Sequence, residues 1–191
     1  GLEETMRVKS AEKNIDCSTY VGGYNQYNQD ILNPESGLHK FSPELTFLFI
    51  DTRQILGDLF YFPYSVTASE RKIFVEKKFN EIKNLIDTFT SEIKSKLVVS
   101  NFAIPVYSPY GIFETKSEYG FHQMIEDLNR KLIDTFANSS SVYIFDFNGF
   151  VSRYGEDNIF DYKQFFFGDM KISLDYIPLI ANELMGYVIG V

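Results

Sequence analysis

Apolar and polar residues alternate along this chain in two distinct ways. Leu45–Ile50, Leu97–Ile104 and Val142–Phe147 are short continuous apolar runs bounded by polar residues or proline. Such runs fit strands covered on both faces, as in parallel sheets. A more mixed run, Ile15–Val21, reads as an earlier strand ended by Gly22-Gly23. Helical stripes lie between and after these runs. Ile82, Leu85, Ile86, Phe89 and Ile93 mark one face of a long helix over 69–94. Ile125, Leu128, Leu132, Ile133 and Phe136 mark the next. Residues 2–14 predict a polar helix with Leu2, Met6 and Val8 as its apolar marks, and 24–32 a short helix stopped by Asn33-Pro34. A last helix, capped by Ser173 or Asp175, carries Ile177, Ile180, Leu184, Tyr187 and Val188. Pro178 falls in its opening turns, where a missing N–H costs least.

Strands alternating with helices predict an α/β fold, a parallel sheet flanked by helices in a three-layer sandwich. No repeat, linker or low-complexity segment interrupts the pattern, so a single domain is expected over 1–191.

Composition narrows the partners. The 19 Phe and 13 Tyr supply a thick core or a surface that contacts something. A net charge of −8 argues against nucleic acid and anionic membranes, which need a basic footprint. Cys17 is the single cysteine, so no internal disulfide forms and a cytoplasmic setting is the default. With only His39 and His122, no Cys/His zinc cluster is expected, and no metal is assigned. No apolar run approaches the roughly 18 residues of a membrane-spanning helix. The N-terminus lacks a signal-peptide pattern and begins abruptly in helical composition, as a segment trimmed from a longer polypeptide would.

In parallel sheets, functional groups collect beyond the carboxyl ends of strands. Gly22, Gly23, Tyr24 and Asn25 follow the first expected strand and offer backbone N–H groups to an anion, though neither GxGxxG nor a P-loop is present. The competing reading is a tight turn. Asp51 and Arg53 follow the next strand and either pair with each other or hold an anion. Asp146-Phe147-Asn148 resembles the Asp-x-Asp-x-Thr block of haloacid-dehalogenase-type phosphatases, but the second acid and the Thr are replaced by Asn148 and Phe150. Gly168, Asp169 and Lys171 precede the last helix in a site-like layout, beside the plainer reading of a capped helix start. Neither His39 nor His122 has an evident Ser or Cys partner, so both read as surface or capping residues.

Several blocks in order, YNQYNQDILNPESGL, PELTFLFIDTRQILGD, NFAIPVYSPYGI, DLNRKL and GDMKISLDYIPLIANELMGYV, resemble the N-terminal module of FkbH-like proteins. These are haloacid-dehalogenase-related enzymes of glyceryl or acyl transfer to an acyl carrier protein. The resemblance spans nearly the whole chain, and implies a fold like that of SGNH hydrolases and flavodoxins. On that mapping Gly22 or Gly23 fits the Gly position. Arg53 stands where an oxyanion-binding Asn would be, Lys171 where the His base would be, and Gly168 where its Asp would be. The Ser-bearing first strand is missing, because the chain starts within the helix that follows it. Either the remaining strands close up, or an exposed edge is filled by another chain, as in a homodimer.

The resemblance therefore implies a catalytically silent module with no cofactor of its own. Magnesium is expected only in a haloacid-dehalogenase-type domain after Val191. The expected partners are that domain and an acyl carrier protein, the latter met by Arg53, Arg153, Lys163 and Lys171. Two alternatives stand beside it. One is a purely structural or oligomerising domain. The other is a divergent SGNH-type esterase or acyltransferase with Lys171 or Asp169 as base.

Overall fold

The computed structural model describes residues 1–161, 163 and 171–190. Its contacts group the chain into two compact units, one of Gly1–Leu45 with Val151–Val191 and the other of Thr46–Phe150.

The second unit carries an α/β core, and the expected parallel sheet flanked by helices is present. Strands β1 (Leu45–Leu48), β2 (Lys96–Ser100) and β3 (Val142–Phe145) lie side by side in chain order. In the β2–β3 ladder Leu97 pairs with Val142 and Ser100 with Phe145, in parallel register. The three strands follow one another in the sheet in chain order. Each strand is shorter than its apolar run. Beyond Ser100 the chain leaves the ladder because its polar groups find side chains: the Phe102 amide donates to Asn129 and the Ile104 amide to Asn148.

Short helices α4 (Thr52–Leu56) and α5 (Asp58–Tyr61) follow β1. The long α6 (Ala68–Glu92) begins with a capping box, the Thr67 hydroxyl accepting from the Glu70 amide while the Glu70 carboxylate accepts from the Thr67 amide. It buries Val75, Phe79, Ile82, Leu85, Ile86 and Phe89, so the stripe extends two turns further back than expected. Helix α7 (Phe121–Phe136) packs on α6 and β3, burying Met124, Ile125, Leu128, Asn129 and Leu132. Ile133 is 46% exposed and leaves the stripe, its place taken by Asn129. Helix α8 (Phe147–Tyr154) lies outside the expected stripes; its sequence signal is Asp146, whose carboxylate accepts from the Gly149 amide as an N-cap does.

In the other unit, α1 (Leu2–Glu12) packs against the last helix, α10 (Ile177–Gly190). Met6 and Ser10 face inward, and the Ser10 hydroxyl lies 3.6 Å from the Met185 sulfur. Val8 is exposed, contrary to expectation. In α10 the buried face is Ile180, Ala181, Leu184 and Met185, and the half-buried Ile177, Tyr187 and Val188 flank it. A 3₁₀ turn over Leu174–Tyr176 precedes α10, so neither Ser173 nor Asp175 caps it directly.

Residues 15–21 form no strand, which corrects the expectation. They alternate between half-buried and exposed but none is fully buried, and side chains rather than a ladder hold them. Thr19 donates to Glu3 at 2.6 Å, and the Tyr20 ring stacks on Phe41 at 5.9 Å. Helices α2 (Tyr27–Leu32), α3 (Gly37–Phe41) and α9 (Glu156–Ile159) complete the elements used below.

Candidate functional site at the carboxyl end of the sheet

At the carboxyl ends of β1, β2 and β3 sit Asp51, Asn101 and Asp146. Asp51 ends the run after β1 and caps α4, its Oδ1 accepting from the Arg53 amide at 2.8 Å. Thr52 is buried and donates to the Ala103 carbonyl at 2.9 Å, tying the β1 exit to the β2 exit. Arg53 is half-buried on α4 beside Asp51, so these two predicted residues come together.

Asn101 links the other two strand ends. Its Nδ2 donates to Asp146 Oδ1 at 2.7 Å, and its Oδ1 accepts from the Asn148 amide at 2.8 Å. Asn148 Oδ1 accepts from the Ile104 amide at 2.9 Å, and Asp146 Oδ1 also takes the Gly149 amide at 2.9 Å. Both ends of the Asn101 amide are therefore committed, and Asp146 is held in place by two donors. In this arrangement Asp146 and Asn148 tie loops together. Asp146 and Asn148 stand in the sequence as part of a phosphatase-like motif, whereas the only sequence signal of Asn101 is an apolar strand run that ends in an amide side chain.

The remaining candidates lie in the other unit. Gly22, Gly23, Tyr24 and Asn25 form an exposed turn before α2. A Cβ on Gly22 would come within 2.5 Å of the Asp30 carboxylate, and one on Gly23 within 2.4 Å of the Gln26 side-chain oxygen. The turn thus sits under an acid rather than an open anion cradle. Lys171 is half-buried with its ammonium 4.2 Å from the centre of the Phe160 ring, a cation–π contact, and its carbonyl accepts from the Asp161 amide. Lys163 is exposed, and Arg153 pairs with Glu183 at 2.8 Å. Gly168 and Asp169 lie outside the described residues. His39 Nε2 meets the Ile31 carbonyl at 2.9 Å near the end of α2, a capping role as expected.

A second polar cluster, unforeseen, surrounds Glu114. Its carboxylate accepts from the hydroxyls of Tyr64 and Ser108 and, at 3.0 Å, from the His122 amide in the first turn of α7. The Tyr64 oxygen also accepts from the Phe121 amide at 3.2 Å. Two loops thus cap α7 from outside. Burial pushes the Glu114 carboxyl up, but the Ser108, Tyr64 and His122 hydrogen bonds outweigh it and hold it below its ordinary range. Burial and the bond to Glu114 raise Tyr64.

Among the described residues no three His, Cys, Asp or Glu side chains gather as metal ligands, and no helix is long and apolar enough to cross a membrane.

The family model of the FkbH N-terminal domain matches residues 2–189. No curated protein matches the chain. A crystal structure of the N-terminal part of the protein BF1531 from Bacteroides fragilis, containing a phosphatase domain complexed with Mg, superposes with a TM-score of 0.81 at 20% identity. The match covers 96% of this chain and 47% of that one, so the chain spans about half the length of its structural relative.

Proposed function

The chain belongs to the FkbH N-terminal domain family, and from that premise we propose that it is a non-catalytic module of a longer protein. In this reading it positions a neighbouring haloacid-dehalogenase-type phosphatase domain and docks an acyl carrier protein during glyceryl or acyl transfer. Magnesium would belong to the neighbouring domain.

The observation that carries the reading is the closed set of hydrogen bonds at the sheet's carboxyl end. Acyl transfer needs a nucleophile, a base that reaches it and donors aimed at an oxyanion. Here the Asn101 amide at the end of β2 is spent on Asp146 and Asn148, and among the described residues the strand ends carry no Ser or Cys beside a histidine. That geometry favours a supporting role over a divergent esterase. The phosphatase domain in the BF1531 structure, whose chain extends well beyond the matched part, supports the idea of a catalytic neighbour.

The test uses the native polypeptide and its acyl carrier protein, with affinity measured by calorimetry. Charge reversal at Arg53, Lys163 and Lys171 together is expected to weaken binding at least about tenfold, since charged rim contacts steer acidic partners. Unchanged affinity would overturn carrier docking. A self-association constant that these reversals leave intact, with no carrier affinity at all, would favour the oligomerising role instead.

A further inference from the structure

We infer that Thr46–Phe150 contains a binding site for an organic anion with an aromatic or apolar body, floored by Arg71 and walled by Tyr64, Tyr110 and Phe113, with Lys116 and Ser117 at its mouth. These residues line a hollow of about 400 Å³, within the range of roughly 300–1,000 Å³ typical of small-molecule sites.

Arg71 carries the argument. It is 5% exposed, a rare state for arginine without a carboxylate partner. Its Nε donates to the Tyr119 carbonyl at 2.9 Å, and its terminal nitrogens donate to Val66 at 2.6 Å, Glu118 at 2.8 Å and Pro63 at 3.3 Å. All four acceptors are neutral backbone carbonyls, and one guanidinium N–H is left over. Among the described residues no carboxylate lies within ion-pair distance of it. Burying a guanidinium without countercharge is costly, and an anion at the floor of the hollow relieves that cost. Glu118, also at the wall, does not supply the countercharge: its carboxylate is engaged by Lys72 at 3.2 Å, on an exposed surface. Lys116 is exposed and has no ion pair among the described residues. It adds a second positive charge at the mouth.

The walls define the rest of the ligand. The guanidinium lies 5.0 Å from the Tyr64 ring centre, Tyr64 and Tyr110 rings are 4.3 Å apart and tilted by 32°, and Phe113 continues the series at 6.0 Å. A planar or acyl body stacks on such rings, while its anionic head reaches Arg71. The pocket is built in advance of any ligand. Glu114 fixes Tyr64 and the loop through Ser108, and Arg71 itself clamps the loop at residues 118 and 119.

The test titrates the whole chain with phenyl phosphate, benzoate and benzyl alcohol, followed by NMR shifts of the backbone amides. The two anions are expected to saturate in the millimolar range with shifts centred on Tyr110, Lys116 and Ser117. The uncharged alcohol is expected to bind at least about fivefold more weakly, because charge-assisted contacts supply much of the affinity. Lys116→Glu and Tyr110→Ala alter exposed side chains, so both should fold, and each should weaken the anions about fivefold or more. No saturable shift with either anion, equal binding of the alcohol, or unchanged affinity in Lys116→Glu would overturn the site. None of these outcomes depends on whether a carrier protein docks.

Discussion

Asn129, on the buried face of α7, both accepts from the Phe102 amide and donates to the Phe102 carbonyl, each at 2.8 Å. A side-chain amide thus does for one residue what a neighbouring strand would do. It lets the chain leave β2 after Ser100 without burying unpaired backbone groups. Asn129→Leu keeps the volume roughly but strands both groups of Phe102. Leaving a buried donor or acceptor unsatisfied costs about 1–3 kcal/mol, so the variant is expected to lose at least about 2 kcal/mol in urea unfolding. A loss below half of that would show that water reaches Phe102.

Two glycines in helices are expected to respond to alanine in opposite directions. At Gly149 in α8 a Cβ would lie 2.2 Å from Asp146 Oδ2, forcing the carboxylate away from the Asn101 amide and the Gly149 N–H. At Gly186 in α10 a Cβ meets nothing within 4 Å, and the backbone is helical. Gly186→Ala should therefore stabilise by up to about 1 kcal/mol, the ordinary helix gain. Gly149→Ala should cancel that gain or reverse it. Thermal denaturation of the two variants side by side reads the sign directly.

Thr67→Ala removes one half of the capping box that starts α6. The expected cost is about 1 kcal/mol, without change in the buried stripe. Hydrogen exchange should quicken at Glu70, whose amide loses its acceptor, while the amides around Phe89 remain protected.

Acid should loosen the outer caps of α7. Glu114 and Asp127 both titrate below their ordinary values in the folded chain. For Asp127 burial pushes upward, but the Tyr119 hydroxyl at 2.7 Å and Arg130 at 2.8 Å prevail. A depressed carboxyl contributes stability that is full above its unfolded-state pKa and is lost as pH falls through the folded one. Stability is therefore expected to decline on acidification below the ordinary carboxylate range, and Glu114→Gln should shallow that decline. In the same variant the His122 amide is expected to exchange faster at neutral pH. A pH profile identical to that of the unaltered chain would assign the acid sensitivity elsewhere.

The sheet, α6, α7 and α10 were legible in the sequence because burial follows hydrophobic period: an apolar run or a 3.6-residue stripe can be stable only against a core. The family could also be recognised from ordered blocks of residues. Other features could not, since they depend on which polar groups meet in space. Residues 15–21 alternate as a strand does, yet no ladder forms, because pairing depends on a neighbour that local pattern does not specify. Asp146 and Asn148 suggested a catalytic motif by their spacing, while tertiary structure gave them Asn101 and Ile104 as partners. Arg71 gave no signal at all in a helix rich in charge. Its burial beneath Tyr64, and the clamp it forms on a loop 47 and 48 residues away, were decided only when α6 and that loop packed together. Local sequence sets which side chains must avoid water, whereas the partner of a buried polar group is set by chain crossings.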